Sequence, residues 1–213
     1  AQGENAITVS SGANLDARGD SLDEENLTPR TTLLLQMEVP MTAMADLIQR
    51  ARKKGSCIVW NLAPMQSVDL ALLKQVDCLI VNEGELNQLH SKLHQIPRPN
   101  HYSAKDVEQK ARDIFTLTGQ SVVVTLGVNG TLAVHNNTLL AVPALAISPV
   151  DTVGAGDAFT GAFTAALDRG ETFPVALRWG NVAGGLACLE TGAQSSLPTA
   201  AKISEHLAAL PGA

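Results

Sequence analysis

Apolar runs of strand length recur along the chain with helical patterns between them: Thr31-Thr32-Leu33-Leu34-Leu35-Gln36-Met37, Cys57-Ile58-Val59-Trp60, Cys78-Leu79-Ile80-Val81 and Val122-Val123-Val124-Thr125-Leu126. Continuous runs of this kind suit strands covered on both faces. Between them, residues 41 to 54 carry Met44, Leu47, Ile48 and Ala51 at helical spacing and end in Arg52-Lys53-Lys54-Gly55, a basic last turn followed by a glycine. Further helical patterns are read over residues 68 to 74 and from about residue 103 to residue 117. Strand, helix, strand at this pitch implies right-handed crossovers and a mostly parallel sheet. Residues 131 to 135 and 139 to 142 flank Asn136-Asn137, which predicts an antiparallel hairpin at one edge. From Gly154 onward the pattern is helical, over residues 158 to 168, 174 to 190 and 200 to 210. The expected fold class is therefore α/β: a doubly wound, mostly parallel sheet with helices on both faces, in one domain over residues 1 to 213.

Composition narrows the function classes. The chain has 213 residues, of which 45% are hydrophobic and 17% charged, enough apolar side chain for a substantial core. A formal net charge of −6 and 3% aromatic residues leave neither a basic stripe nor stacking platforms, so nucleic acid is not an expected partner. Cys57, Cys78 and Cys188 stand apart among apolar neighbours and read as buried thiols of a reducing compartment. No apolar run reaches the roughly 18 residues of a membrane span, and residues 1 to 5 lack the features of a signal peptide. The expectation is a soluble cytoplasmic protein with no membrane partner. The chain begins without methionine and runs into a strand-like stretch, Ala6-Ile7-Thr8-Val9, as if cut inside a longer frame. Pro97-Arg98-Pro99-Asn100-His101 reads as a surface loop, and the His90 and His94 pair as a solvated helix face.

The densest chemical signal is Asp151-Thr152-Val153-Gly154-Ala155-Gly156-Asp157-Ala158-Phe159. Glycines just before a helix expose backbone amides whose dipoles favour an anion such as phosphate. An aspartate in that first turn can take a proton from a hydroxyl attacking the bound phosphoryl group. The same residues also fit a plain helix cap with a tight turn, and the motif by itself leaves both readings open.

The stretch from Asp151 to Ala162 resembles the C-terminal signature of the ribokinase-like (PfkB) carbohydrate kinases. Other segments resemble the family in the same order: Gly3-Glu4-Asn5-Ala6-Ile7, Gly12-Ala13-Asn14, Gln36-Met37-Glu38, Asn61-Leu62-Ala63-Pro64, Asn82-Glu83-Gly84-Glu85, Thr125-Leu126-Gly127-Val128-Asn129-Gly130 and Gly192-Ala193-Gln194-Ser195-Ser196. The resemblance implies phosphoryl transfer from MgATP to a primary hydroxyl of a small sugar, ribose first, or of another sugar or a nucleoside. It implies that Asp157 is the catalytic base and that Gly154, Ala155 and Gly156 complete an anion hole for the γ-phosphate. Glu38 and Asp157 would meet the sugar, while Asn82, Thr125, Gly127, Asn129, Gly130 and Asn181 would border the nucleotide. Glu85 would place Mg²⁺ through water. A K⁺ site would draw on Asp151, Val153, Ala187, Glu190, Gly192 and Ser196.

Each assignment has a plainer rival. Asn82 and Glu85 also fit a helix N-cap with an acid in its first turn, Asn129 and Gly130 a simple turn, Asn181 a solvent-facing position, and Asp151 a turn residue. Leu62 stands where the family commonly has proline, and Glu190 where a basic or neutral residue is expected. The family's N-terminal sugar-binding residues, its Gly-Gly motif and its β-sheet lid have no counterpart in residues 1 to 213. The chain is accordingly expected to be the nucleotide-side, catalytic portion, lacking the N-terminal strands and lid. It could bind nucleotide weakly without transfer, and pair as a homodimer or with a complementing N-terminal segment.

Overall fold

The computed structural model describes residues 10 to 97 and 103 to 210. The expected strand over residues 6 to 9, the Gly3-Glu4-Asn5 segment and most of the proline-rich loop lie outside them. After three short 3-10 turns between Gly12 and Asn26, six strands form one sheet in sequential order: β1 Thr32–Leu35, β2 Cys57–Asn61, β3 Cys78–Asn82, β4 Ser121–Thr125, β5 Thr131–His135 and β6 Thr138–Val142. β1 to β4 are parallel, with Leu35 opposite Trp60, Asn61 opposite Ile80 and Asn82 opposite Thr125. β5 and β6 continue the sheet antiparallel, and Asn136 and Asn137 turn between them at φ 49° and 62°, as the hairpin pattern predicts.

Helix α1 (Met41–Lys54), the single turn α2 (Leu70–Leu73), and α3 (Glu83–His94) with α4 (Ala104–Thr118) carry the three crossovers. They cover one face, where Met44, Ile48, Leu73, Leu86 and Ile114 pack on Ile58, Trp60, Leu79, Val81 and Val124. The alternate strand residues Val59, Ile80, Val123 and Ala133 meet α5 (Ala155–Asp168), α6 (Phe173–Ala187) and α7 (Ala200–His206) on the other face. Two buried faces explain why the central strands read as unbroken apolar runs. β1 departs from that reading: it lies at the sheet edge among the described residues, is shorter than its apolar run, and leaves Leu34 39% exposed.

Helix ends follow local chemistry. α1 stops where Gly55 takes a left-handed conformation at φ 78° behind three basic residues. α4 starts on a reciprocal capping box between Ser103 and Asp106. α6 ends at Ala187, three residues before the expected Glu190, because the Cys188 carbonyl accepts the amides of Val150 and Asp151 at 2.8 and 3.3 Å. α7 likewise gives way after His206 to a 3-10 turn at Leu207–Ala209. No helix among the described residues is long and apolar enough to cross a membrane. Cys57, Cys78 and Cys188 are free thiols; Cys78 and Cys188 are buried and Cys57 is half-buried.

Candidate active site

Topology brings the singled-out segments to one edge. β1 to β4 run in parallel, so Leu35, Asn61, Asn82 and Thr125 all mark the carboxyl end of the sheet, where a parallel sheet places its ligands. β6 ends there too, since Val142 pairs with Thr131 and Thr131 with Thr125. α5 and α6 run antiparallel: a Cβ on Gly184 would lie 3.1 Å from the Ala155 carbonyl oxygen, while the rings of Phe163 and Phe173 meet at 5.3 Å at the other end. Phe173 stacks on His135 at the amino end of the sheet, which leaves the start of α5 and the end of α6 at the carboxyl end.

At that start, Gly154 occupies the N-cap of α5 at φ 78°, with no side chain capping the helix. Asp157 is exposed in the first turn, three residues past that N-cap, and a Cβ on Gly156 would meet open space. Backbone amides at an uncapped N-terminus are the donors an anion needs. Gly154 is required by packing as well as by φ, because a Cβ would sit 2.9 Å from the Ala193 carbonyl oxygen. Asp151 locks the two loops together. Its Oδ1 accepts the Val153 amide at 3.1 Å and its Oδ2 the Gly192 amide at 3.2 Å. Those bonds, to Val153 first and then Gly192, hold its carboxyl below the usual carboxylate range. Ser196, which is buried, donates to the Ala193 carbonyl at 3.1 Å. Asp151, Val153, Gly192 and Ser196 are therefore joined in one loop pair, with Ala187 buried at the end of α6 and Glu190 exposed, paired with Lys202 at 3.4 Å.

At the end of β3, Asn82 and Glu85 form a capping box. Asn82 Oδ1 accepts the Glu85 amide and Glu85 Oε2 accepts the Asn82 amide, both at 2.8 Å. The cap weighed as the plainer reading is thus present. It fixes the carboxylate at the sheet's edge, where burial pushes the Glu85 carboxyl upward against the lowering effect of the Asn82 amide. Thr125 closes β4, and Leu126 donates to the Gly130 carbonyl at 2.8 Å across a 3-10 turn, Gly127–Asn129. Gly127 and Asn129 are exposed, whereas Gly130 is buried at φ 84°, with the Val142 carbonyl oxygen 2.1 Å from where a Cβ would stand. Gly130 is therefore a packing requirement. Glu38 is exposed just past β1, on a turn anchored by the Met37 amide donating to Ala63 O at 2.9 Å.

Asn181 is not solvent-facing. It is 7% exposed; its Nδ2 donates to the Val142 and Pro143 carbonyls at 2.9 and 3.1 Å, and its Oδ1 accepts the Thr131 hydroxyl at 2.5 Å. It ties α6 to the hairpin, and Thr131, its buried partner, was not singled out in the sequence. Nor were Arg169 and Trp179, whose side chains stack at 4.3 Å and line a cleft of about 270 Å³ beside Asp157, Gly161 and Ala162. The α5 and α6 pattern marks these positions only as helix surface.

Fold and site together define a class: a parallel α/β protein that offers a phosphate-type anion a glycine-rich helix N-terminus, with an aspartate in its first turn and oxygen-bearing side chains around it. The model of the pfkB family carbohydrate kinase matches residues 1–200, and the chain belongs to that family. It is 31% identical over 207 residues to the ribokinase of Haemophilus influenzae, covering 96% of this chain and 65% of that relative's length. The ribokinase structure from Thermotoga maritima superposes with a TM-score of 0.85 at 29% identity, covering 97% of this chain and 66% of that one. The Arabidopsis thaliana ribokinase complexed with ribose and ATP gives a TM-score of 0.82 at 27% identity, with the same coverage. The chain thus spans just under two thirds of the length of these relatives.

Proposed function

We propose that residues 1 to 213 form the nucleotide-side, catalytic portion of an ATP-dependent sugar kinase, with ribose as the first acceptor to test and ribose 5-phosphate as its product. The observation that supports this most is the α5 N-terminus: Gly154 begins the helix with no side-chain cap beside Asp157, and Asp151 braces that turn against the loop from Gly192 to Ser196. The sugar is put first because the Arabidopsis relative binds ribose and ATP.

In this mechanism Asp157 takes the proton of the acceptor hydroxyl as its oxygen attacks the γ-phosphorus. The bond to the bridging oxygen breaks and ADP leaves. The α5 amides stabilise charge on the transferred group throughout, which is the dominant contribution in phosphoryl transfer. Glu38, exposed beyond β1, meets the sugar. Asn82, Thr125, Gly127 and Asn129 border the nucleotide, while Gly130 and Asn181 hold the wall behind it. Glu85 would hold Mg²⁺ through water, as a hard cation that keeps several waters allows, and when bound Mg²⁺ neutralises phosphate charge. Asp151 with the Gly192–Ser196 loop would hold K⁺, which adds positive charge next to the anion hole.

Asp157→Asn tests the assignment, because the amide preserves shape but cannot accept the proton. In a protein that also carries the N-terminal sugar-binding region, loss of roughly 10²-fold or more in kcat, with ATP affinity within a few-fold, is expected in coupled assays of ADP release with ribose. Turnover near the wild-type rate would refute Asp157 as base. A panel of ribose, deoxyribose, hexoses and nucleosides in the same assay identifies the acceptor.

A further inference from the structure

Two turns beyond the Asn82 cap, roughly 12 Å along α3, a second cluster of chemical groups lies between α3 and α4, apart from the residues assigned to phosphoryl transfer. The i, i+4 pair His90 and His94 is not a solvated face. His90 is 8% exposed, its Nε2 lies 3.0 Å from Asp113 Oδ2 on α4, and its ring sits 4.4 Å from that of the exposed His94. One potential ligand atom from each of His90, His94 and Asp113 falls within 4.8 Å of the others. Gln109 orients the carboxylate by donating to Asp113 Oδ1 at 2.8 Å.

A buried histidine serving only the core normally satisfies both ring nitrogens. Among the described residues His90 satisfies one: its Nδ1 is buried with no hydrogen-bond partner, while its Nε2, the atom that faces the cluster, points at a carboxylate beside a second imidazole. We propose that His90, His94 and Asp113 bind a divalent transition metal of the zinc class, which ties α3 to α4. Two imidazoles and a carboxylate match the ligand preference of zinc, cobalt and nickel; magnesium and calcium prefer all-oxygen sets. Bonds of about 2.0–2.1 Å in a tetrahedron place ligand atoms roughly 3.3 Å apart, close to the 3.0 Å already separating His90 from Asp113. His94, being exposed, can swing in to complete the trio, and water takes the fourth position. The metal binds the folded arrangement and therefore stabilises it.

The test is a Co²⁺ titration of the protein purified without a histidine tag, followed by its visible absorption, with Zn²⁺ displacing the signal. Melting temperature is measured in parallel. Intense visible bands of low-coordinate cobalt are expected, and zinc at about 100-fold over its dissociation constant raises the melting temperature by about 5–10 °C. His94→Ala and Asp113→Asn change partly exposed side chains, so they keep the fold, as circular dichroism verifies. Each is expected to lower cobalt affinity at least roughly tenfold and to shrink the zinc-dependent rise in melting temperature. Absence of a cobalt spectrum at about millimolar metal would overturn the proposal. So would wild-type affinity in both variants, which places the metal on other residues.

Discussion

Replacing Asn181 by alanine is expected to damage stability far more than nucleotide affinity. The side chain makes three hydrogen bonds, to Thr131 Oγ1 and to the carbonyls of Val142 and Pro143, in a setting that is 7% exposed. At about 1 kcal/mol for each bond lost, and with the Thr131 hydroxyl left buried and without an acceptor, the cost comes to roughly 3–4 kcal/mol. For a chain of this length that corresponds to a fall in melting temperature of about 6–15 °C. Urea unfolding followed by circular dichroism measures the free energy directly, and an unchanged m-value shows that compactness is retained. Asn181→Asp sharpens the test. A carboxylate would keep the acceptor for Thr131 but face two carbonyl oxygens, so it should be destabilising at pH 8 and less so at low pH, where the protonated acid can donate. A loss below about 1 kcal/mol in the alanine variant, together with a large rise in KM for ATP, would refute the reasoning and return Asn181 to direct nucleotide contact.

Other expectations follow from the loops and the caps. Gly154→Ala combines φ 78° with a Cβ 2.9 Å from the Ala193 carbonyl oxygen, so it should cost about 1–3 kcal/mol and loosen the anion hole; a wild-type melting curve would show that the two loops are not in register. K⁺ should raise kcat saturably where choline does not, and Asp151→Ala should abolish the difference; equal rates in both salts remove the cation site. Burial raises the Glu85 carboxyl in the folded state, so its favourable contribution is full below the unfolded value and is lost as pH rises through the folded one. Glu85→Gln, which can still accept the Asn82 amide, should therefore be at least as stable as wild type at pH 8 in urea unfolding, yet need more Mg²⁺ for turnover. A less stable Gln variant at pH 8 would mean that the ionised cap outweighs its burial.

Why some of this was legible in the sequence and some was not can be traced to particular residues. β2, β3 and β4 announced themselves because both faces are buried and their residues are almost all apolar. The hairpin did so because few residues other than asparagine and glycine accept two successive positive φ values. α3 gave a weak pattern: Glu85, Asn87, His90 and Ser91 are buried among Leu86 and Leu89, which breaks the apolar stripe that marks a helix. For the same reason His90 read as a solvated residue. Its partner is Asp113, 23 residues away on another helix, and spacing along one helix carries no trace of that.

The proposed anion hole divides along the same line. Its Gly154–Asp157 turn is local, and a glycine-rich start to an apolar helix states it in consecutive residues. What holds the turn in place is not local, since Asp151 reaches Gly192 across 41 positions and Gly154 packs on Ala193. A carboxylate accepting two backbone amides serves the loop pair whether or not a cation is bound. Asp151 should thus matter to structure and to chemistry together, and the salt dependence of kcat is the readout that a purely structural brace would leave flat.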